Sequence, residues 1–259
     1  ELLMTLELAL LVILVFTIST VLKGWSGFGT NLIAIPALAI YLGYDYIEAV
    51  VIVLTLNFFI NIAMLIENKK FNVKSLEKIK VLILFGLIFH VVGLILLKGL
   101  DTDILKIVAG SLIILTVLNK AFDFKFTIKN KEKYYIPVGI LSGLFNGMAG
   151  LGGLPVLLLL SNSDMEKEDF KSTLVSYFFV MSTISIISFI VGGFYTSFIL
   201  LNIAIVVVFA ISGAMFGVYL SRRVSDKGFQ AGMLFILFFM GASMIYNALD
   251  LGELISNLF

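Results

Sequence analysis

The chain has 259 residues, 60% of them hydrophobic and 14% charged, with a formal net charge of +1 and a mean hydropathy of +1.11. Soluble domains carry about 25% charged residues, so the composition excludes a soluble protein, a disordered one and a nucleic-acid binder, and it leaves no room for a soluble catalytic domain. With no cysteine and a single histidine, His90, it also excludes disulfides, thiolate or multi-histidine metal sites and a cysteine nucleophile, and no cofactor is expected.

Apolar runs of about 20 residues are long enough to cross a bilayer. The first, Leu2–Leu22, reads as a spanning helix and not as a cleavable leader. A glycine-rich break follows, Gly24-Trp25-Ser26-Gly27-Phe28-Gly29, and then the runs Leu32–Leu42, Ile47–Ile66, Ile79–Leu97 and Ile104–Leu118. The loop Asn119–Lys133 carries Lys120, Lys125, Lys129, Lys131 and Lys133. It divides the chain into a first transmembrane repeat (1–118), a basic cytoplasmic linker (119–133) and a second repeat (134–259). The second half opens with Tyr134–Phe145 and a second break, Gly147-Met148-Ala149-Gly150-Leu151-Gly152-Gly153. Leu154–Leu160, Leu174–Val191, Phe198–Leu220 and Phe229–Leu249 complete it.

Gly24, Gly27 and Gly29 match Gly147, Gly150 and Gly152 at one offset of 123, and each break leads to a proline, Pro36 or Pro155. One such glycine pattern is common in membrane helices; two in the same order of elements indicate duplication. Lysine and arginine placement sets orientation. Lys69, Lys70, Lys74, Lys78 and Lys80 put the loop Glu67–Lys80 in the cytoplasm, and Asn119–Lys133 agrees two crossings later. If Tyr134–Leu160 crossed once, Arg222, Arg223 and Lys227 would fall outside. A hairpin turning at Gly147–Gly153 brings them inside and leaves the acidic tail, with Asp250 and Glu253, outside. The expected fold is therefore an all-α polytopic membrane protein of about ten embedded segments. It has two inverted five-segment repeats, helices broken by glycine into re-entrant or half-length arms, and both termini outside. Inverted repeats with interrupted helices point to a secondary transporter whose site lies where the breaks meet.

These motifs resemble the TauE/SafE sulfite exporter family. The resemblance rests on Gly24-x-x-Gly27-x-Gly29 with Pro36 beyond it, the turn Gly43-Tyr44-Asp45, and the second copy from Gly143 to Pro155. The glycine-rich stretch Gly213–Arg223, ending in paired arginines, also fits, and the likeness covers nearly the whole chain. Where family members read Gly-Gly-Pro, this chain reads Gly152-Gly153-Leu154-Pro155. The resemblance implies a cell-membrane, multi-pass transporter, not an enzyme. It would export small sulfur-containing or organic anions such as sulfite or sulfonates, in contact with the lipid bilayer and with no nucleic-acid partner. The oligomeric state stays open, with a homodimer among the candidates.

An oxyanion inside a membrane needs donors. Glycine-rich turns leading into helices expose backbone N–H groups, and neutral side chains cluster beside them. Ser26, Thr30 and Asn31 flank the first break, Asn146 precedes the second, and Asn57 and Asn61 share one face of Ile47–Ile66. Aligning Phe58-Phe59 with Phe178-Phe179 makes Tyr177 the counterpart of Asn57. The expected substrate-binding set is thus Gly24, Ser26, Gly27, Gly29, Thr30, Asn31, Asn57, Asn61, Asn146, Gly147, Gly150, Gly152, Gly153 and Tyr177. No carboxylate lies deep in an apolar run, and Lys23 is expected to reach an interface, so the anion would be held by neutral donors. The competing reading is that the glycines serve packing and the polar side chains serve interhelical hydrogen bonds. For His90, a proton relay and a plain hydrogen bond to a backbone carbonyl are both open. Two alternatives stand beside a transporter. One is a passive anion channel. The other is a rhomboid-like intramembrane protease built on Gly24-Trp25-Ser26-Gly27, with His90 as base.

Overall fold

The computed structural model describes residues 5–68, 73–122, 131–161, 167–223 and 226–249. Lys69, Lys70, Lys125, Lys129, Asp250 and Glu253 lie outside what is described, and so does the side chain of Lys227. Among the described residues every regular element is helical: α1 (Leu6–Ser26), α2 (Thr30–Pro36), α3 (Tyr46–Asn68), α4 (Val73–Lys78), α5 (Lys80–Gly99), α6 (Thr102–Ala121), α7 (Tyr135–Ala149), α8 (Gly153–Ser161), α9 (Lys167–Val191), α10 (Ser197–Ser221) and α11 (Asp226–Ala248). Side-chain oxygens at N-termini accept from orphan amides: Thr5 from Leu8, Asp101 from Asp103 and Thr196 from Ile199. Pro36 has no N–H to continue α2, and the chain passes into a widened π turn over Ala37–Tyr41.

The burial pattern is that of a protein in lipid. Leu10, Leu14, Ile18, Leu84, Ile88, Ile95, Val208 and Phe216 are exposed, while Ser19, Lys23, Asn57, Asn61, His90, Asn146 and Asn202 are buried. Polar side chains turned inward and large apolar ones outward satisfy hydrogen bonds that the bilayer cannot. Among the described residues six helices are long and apolar enough to cross a membrane: α1, Tyr46–Glu67 of α3, α5, α6, Ser172–Val191 of α9, and α10.

The helices of the two halves interleave. α1 packs on α10, α5 on α7, α3 on α9, and α6 on α11. The crossings close on small residues, because a side chain would hold the backbones apart. A Cβ on Gly24 would run into the Ala214 carbonyl, and one on Gly147 into the His90 carbonyl. A Cβ on Gly110 would lie 2.7 Å from the Gly241 carbonyl where α6 meets α11.

The arms beside the breaks differ from expectation. α1 is a full 21 residues and runs through Gly24 to Ser26, so the first arm is not half-length. α7 is 15 residues and includes Gly147. Glycine inside an otherwise apolar run does not end a helix when a neighbouring helix packs onto it; within the two breaks φ is positive at Gly27, Gly29 and Gly150, and there the chain turns.

Candidate functional site

Both turns are helix C-caps. Gly27 (φ 87°) ends α1, its N–H donating to the Lys23 carbonyl at 2.7 Å. Gly150 (φ 67°) ends α7, its N–H donating to the Asn146 carbonyl at 3.0 Å, with Leu151 N–H on the Phe145 carbonyl. A left-handed residue in this place is ordinarily glycine. The offset of 123 that relates Gly27 to Gly150 also relates Lys23 to Asn146. The same turn of each helix therefore offers an ammonium in one copy and an amide in the other.

Between the turns lies a cavity of about 60 Å³. On a measure in which one water needs roughly 10–15 Å³, it holds a few waters or one small oxyanion. Of the expected residues, Gly29, Thr30, Asn31, Asn57, Asn61, Asn146, Gly150 and Gly153 line it, with Lys23, Phe28, Phe178 and Ser182. Asn57 sits halfway along the apolar span of α3 and Ser182 halfway along that of α9.

Lys23 corrects the expectation of an all-neutral donor set. It is 4% exposed and does not reach an interface. Its Nζ donates to Asn57 Oδ1 at 2.5 Å and stands 5.9 Å from the centre of the Phe178 ring. Asn57 Nδ2 donates to Asn31 Oδ1 at 2.5 Å, and Asn31 Nδ2 donates to the Gly150 carbonyl. This chain of bonds links α1, α3 and α2 to the second turn. It also orients both amides, since the oxygen of Asn57 must face the ammonium. Among the described residues no carboxylate lines the cavity. The sequence signal for Lys23 was its equivalence to Asn146, since both had to lie at one level if the copies match.

On the opposite wall Asn146 Nδ2 meets His90 Nδ1 at 3.1 Å and Ser185 Oγ at 3.3 Å. Because the amide donates, Nδ1 accepts and the ring proton sits on Nε2, which has no partner among the described residues. His90 thus bonds a side-chain amide and not a backbone carbonyl.

The other expected residues lie away from the cavity. Gly24 and Gly147 are at the α1–α10 and α5–α7 crossings. The Ser26 hydroxyl lies within hydrogen-bond reach of the Leu22 and Phe28 carbonyls, at 2.9 and 2.6 Å, and shapes the turn at Gly27. Gly152 packs on Ser142 and Asn146. The Tyr177 hydroxyl bonds Ser142 at 2.5 Å, and Ser142 donates to the Gly152 carbonyl at 2.5 Å, so Tyr177 braces the second turn from behind. Ser26 and His90 each bond other groups, and the dyad of a protease is not formed.

Asn57→Ala removes the acceptor that holds the ammonium. Hydrogen bonds to charged groups contribute about 1.5–3 kcal/mol, so anion affinity should fall roughly ten- to a hundredfold, readable in the midpoint of a thermal-shift titration. An unchanged midpoint would mean that Asn57 only ties helices together.

Apolar helices of spanning length, packed around inward-facing polar side chains, define a multi-pass membrane protein. The chain belongs to the sulfite exporter TauE/SafE family, whose sequence profile matches residues 11–244. No curated protein and no solved structure matches it.

Proposed function

We propose that the protein exports a small sulfur oxyanion of the sulfite type, held in the cavity between the two turns. The observation that carries this reading is Lys23, an ammonium buried in an oxyanion-sized cavity without a carboxylate. A buried charge without a counter-ion is costly, and a bound anion supplies that counter-ion. Lys23 Nζ contributes the charge. Asn31 and Asn57 each hold a second amide hydrogen beyond the one already bonded, and the backbone N–H groups around Gly29–Thr30 and Gly152–Gly153 contribute the rest. The small cavity favours an inorganic oxyanion over a long sulfonate.

The transport cycle we infer uses two inverted five-segment repeats, 1–118 and 134–259, with the cavity near the bilayer midplane. The packing supports this reading, because the most extensive cross-repeat contacts have counterparts with roles exchanged: α1 on α10 and α5 on α7, α3 on α10 and α5 on α9. The third and fifth helices of each repeat pack on their own counterparts, α3 on α9 and α6 on α11. Arg222 Nη2 lies 3.4 Å from Glu67 Oε1, which supports placing the arginine pair at the same end as the loop after Glu67. Lys98 donates to the Gly192 carbonyl and Lys106 to Asn247 at the other end.

The test is a thermal-shift screen of the purified protein against sulfite, sulfate, thiosulfate, sulfoacetate and small carboxylates, since a ligand of the native state raises its stability. Proteoliposome flux follows. Saturation and counterflow are expected of a transporter, and flux linear in concentration without counterflow would make it a channel. Stabilisation by none of the oxyanions would sink the reading. The topology has its own test on this cysteine-free background. Arg223→Cys should be labelled only from the cytoplasmic side, and external labelling would refute the hairpin.

A further inference from the structure

We propose that the anion is taken as a monoanion that still carries one acidic hydrogen, hydrogensulfite and not the sulfite dianion; this rests on the function proposed above. Two independent observations carry it. The first is charge. Among the described residues Lys23 is the one charged side chain lining the cavity, so a monoanion brings the site to neutrality while a dianion leaves a net negative charge in a low-dielectric interior.

The second is an acceptor that lacks a donor. Asn61 is 1% exposed and lines the cavity. The Ser182 hydroxyl donates to the Phe179 carbonyl at 3.0 Å. Its oxygen therefore accepts the 3.2 Å bond from Asn61 Nδ2. That fixes the amide with its oxygen free, and Asn61 Oδ1 has no partner among the described residues. A fully deprotonated anion has only lone pairs and repels such an oxygen, whereas an acidic hydrogen on the anion satisfies it. A buried polar group left unpaired costs far more than a paired one gains, so the site discriminates by this atom. Thr30 Oγ1, also buried and unpartnered at the cavity, can donate to the anion's other oxygens.

The remaining titratable groups near the cavity are Lys23 on α1, His90 on α5 behind Asn146, and Tyr177 on α9 bonded to Ser142. α2, α3 and α8 present no titratable side chain to it. The test therefore has to separate the anion's ionisation from the protein's. Thermal-shift titrations of the full chain would be run across pH with sulfite, with selenite, whose second ionisation lies higher, and with methanesulfonate, a permanent monoanion lacking the acidic hydrogen. Sulfite affinity should fall about tenfold per pH unit above its own second ionisation, as one proton enters with the anion. The fall for selenite should begin at correspondingly higher pH. Methanesulfonate should bind about tenfold or more weakly with no such fall, and Asn61→Leu should narrow its gap to sulfite.

Affinity rising with pH, a fall at the same pH for all three anions, or methanesulfonate matching sulfite would overturn the proposal. The first and third outcomes leave the exporter reading standing so long as binding is lost in Lys23→Met. Binding of no anion at any pH overturns both. If Asn61→Leu does not fold, the three-anion comparison on the parent protein decides alone, and if it folds with the gap unchanged, Asn61 is not the discriminating atom.

Discussion

Replacing Lys23 by methionine should abolish anion-dependent stabilisation while leaving the protein folded. Methionine matches the apolar stem of lysine and removes only the ammonium, which stands 5.9 Å from the centre of the Phe178 ring. Truncating one partner of a buried charged pair costs about 2–5 kcal/mol of binding, a loss of roughly thirty- to several-thousandfold. The ligand-free protein should melt at the same temperature or higher, because an ammonium buried without a counter-ion destabilises the fold. Lys23→Arg should recover little, since the planar guanidinium is larger than the ammonium and the cavity is small. The measurement is a melting curve with and without sulfite for each variant. A ligand-free Lys23→Met protein that unfolds, or one that still gains stability from sulfite, would make Lys23 a structural residue and place the anion elsewhere.

The glycines should divide into two groups with different failures. Gly24→Ala and Gly147→Ala each place a methyl group against a backbone carbonyl of the facing helix, Ala214 or His90. Backbone cannot yield as a side chain can, so each should cost several kcal/mol and sharply reduce the yield of monodisperse protein. No anion should rescue them. Gly150→Ala meets only the end of a flexible side chain, Ile35 Cδ1 at 2.8 Å, but must hold a positive φ of 67°. That conformation costs an L-residue about 1–2 kcal/mol, so the protein should fold with a lowered melting temperature. Because Asn31 donates to the Gly150 carbonyl, displacement of this turn should also weaken anion binding. Normal folding of Gly147→Ala, or unimpaired binding by Gly150→Ala, would remove the distinction.

Composition and run length were enough to determine an all-helical membrane protein, because 60% hydrophobic residues in runs of spanning length have no other stable solution in water or lipid. The positions of the turns were legible to within a few residues, and so was the inward burial of Asn57, Asn61 and Asn146. Polar side chains in apolar runs must face inward and meet one another.

What the sequence could not decide was which glycines turn the chain and which close a helix crossing. Gly24 and Gly27 are three apart in one motif, yet one faces α10 and the other takes a left-handed φ. That difference depends on what packs against each, and the helix facing α1 comes from the other end of the chain. The fate of Lys23 was undecided for the same reason. A lysine near a helix end can reach water or turn inward, and the choice is made by the partner it finds. Here the partner is Asn57, 34 residues away, brought to it only when α1 and α3 pack around the first turn. The sequence by itself determined the membrane, the helices and the polar residues that must be hidden. The tertiary structure alone decided that those residues enclose a cation, because hydrogen bonds across helices are set by packing and not by local order.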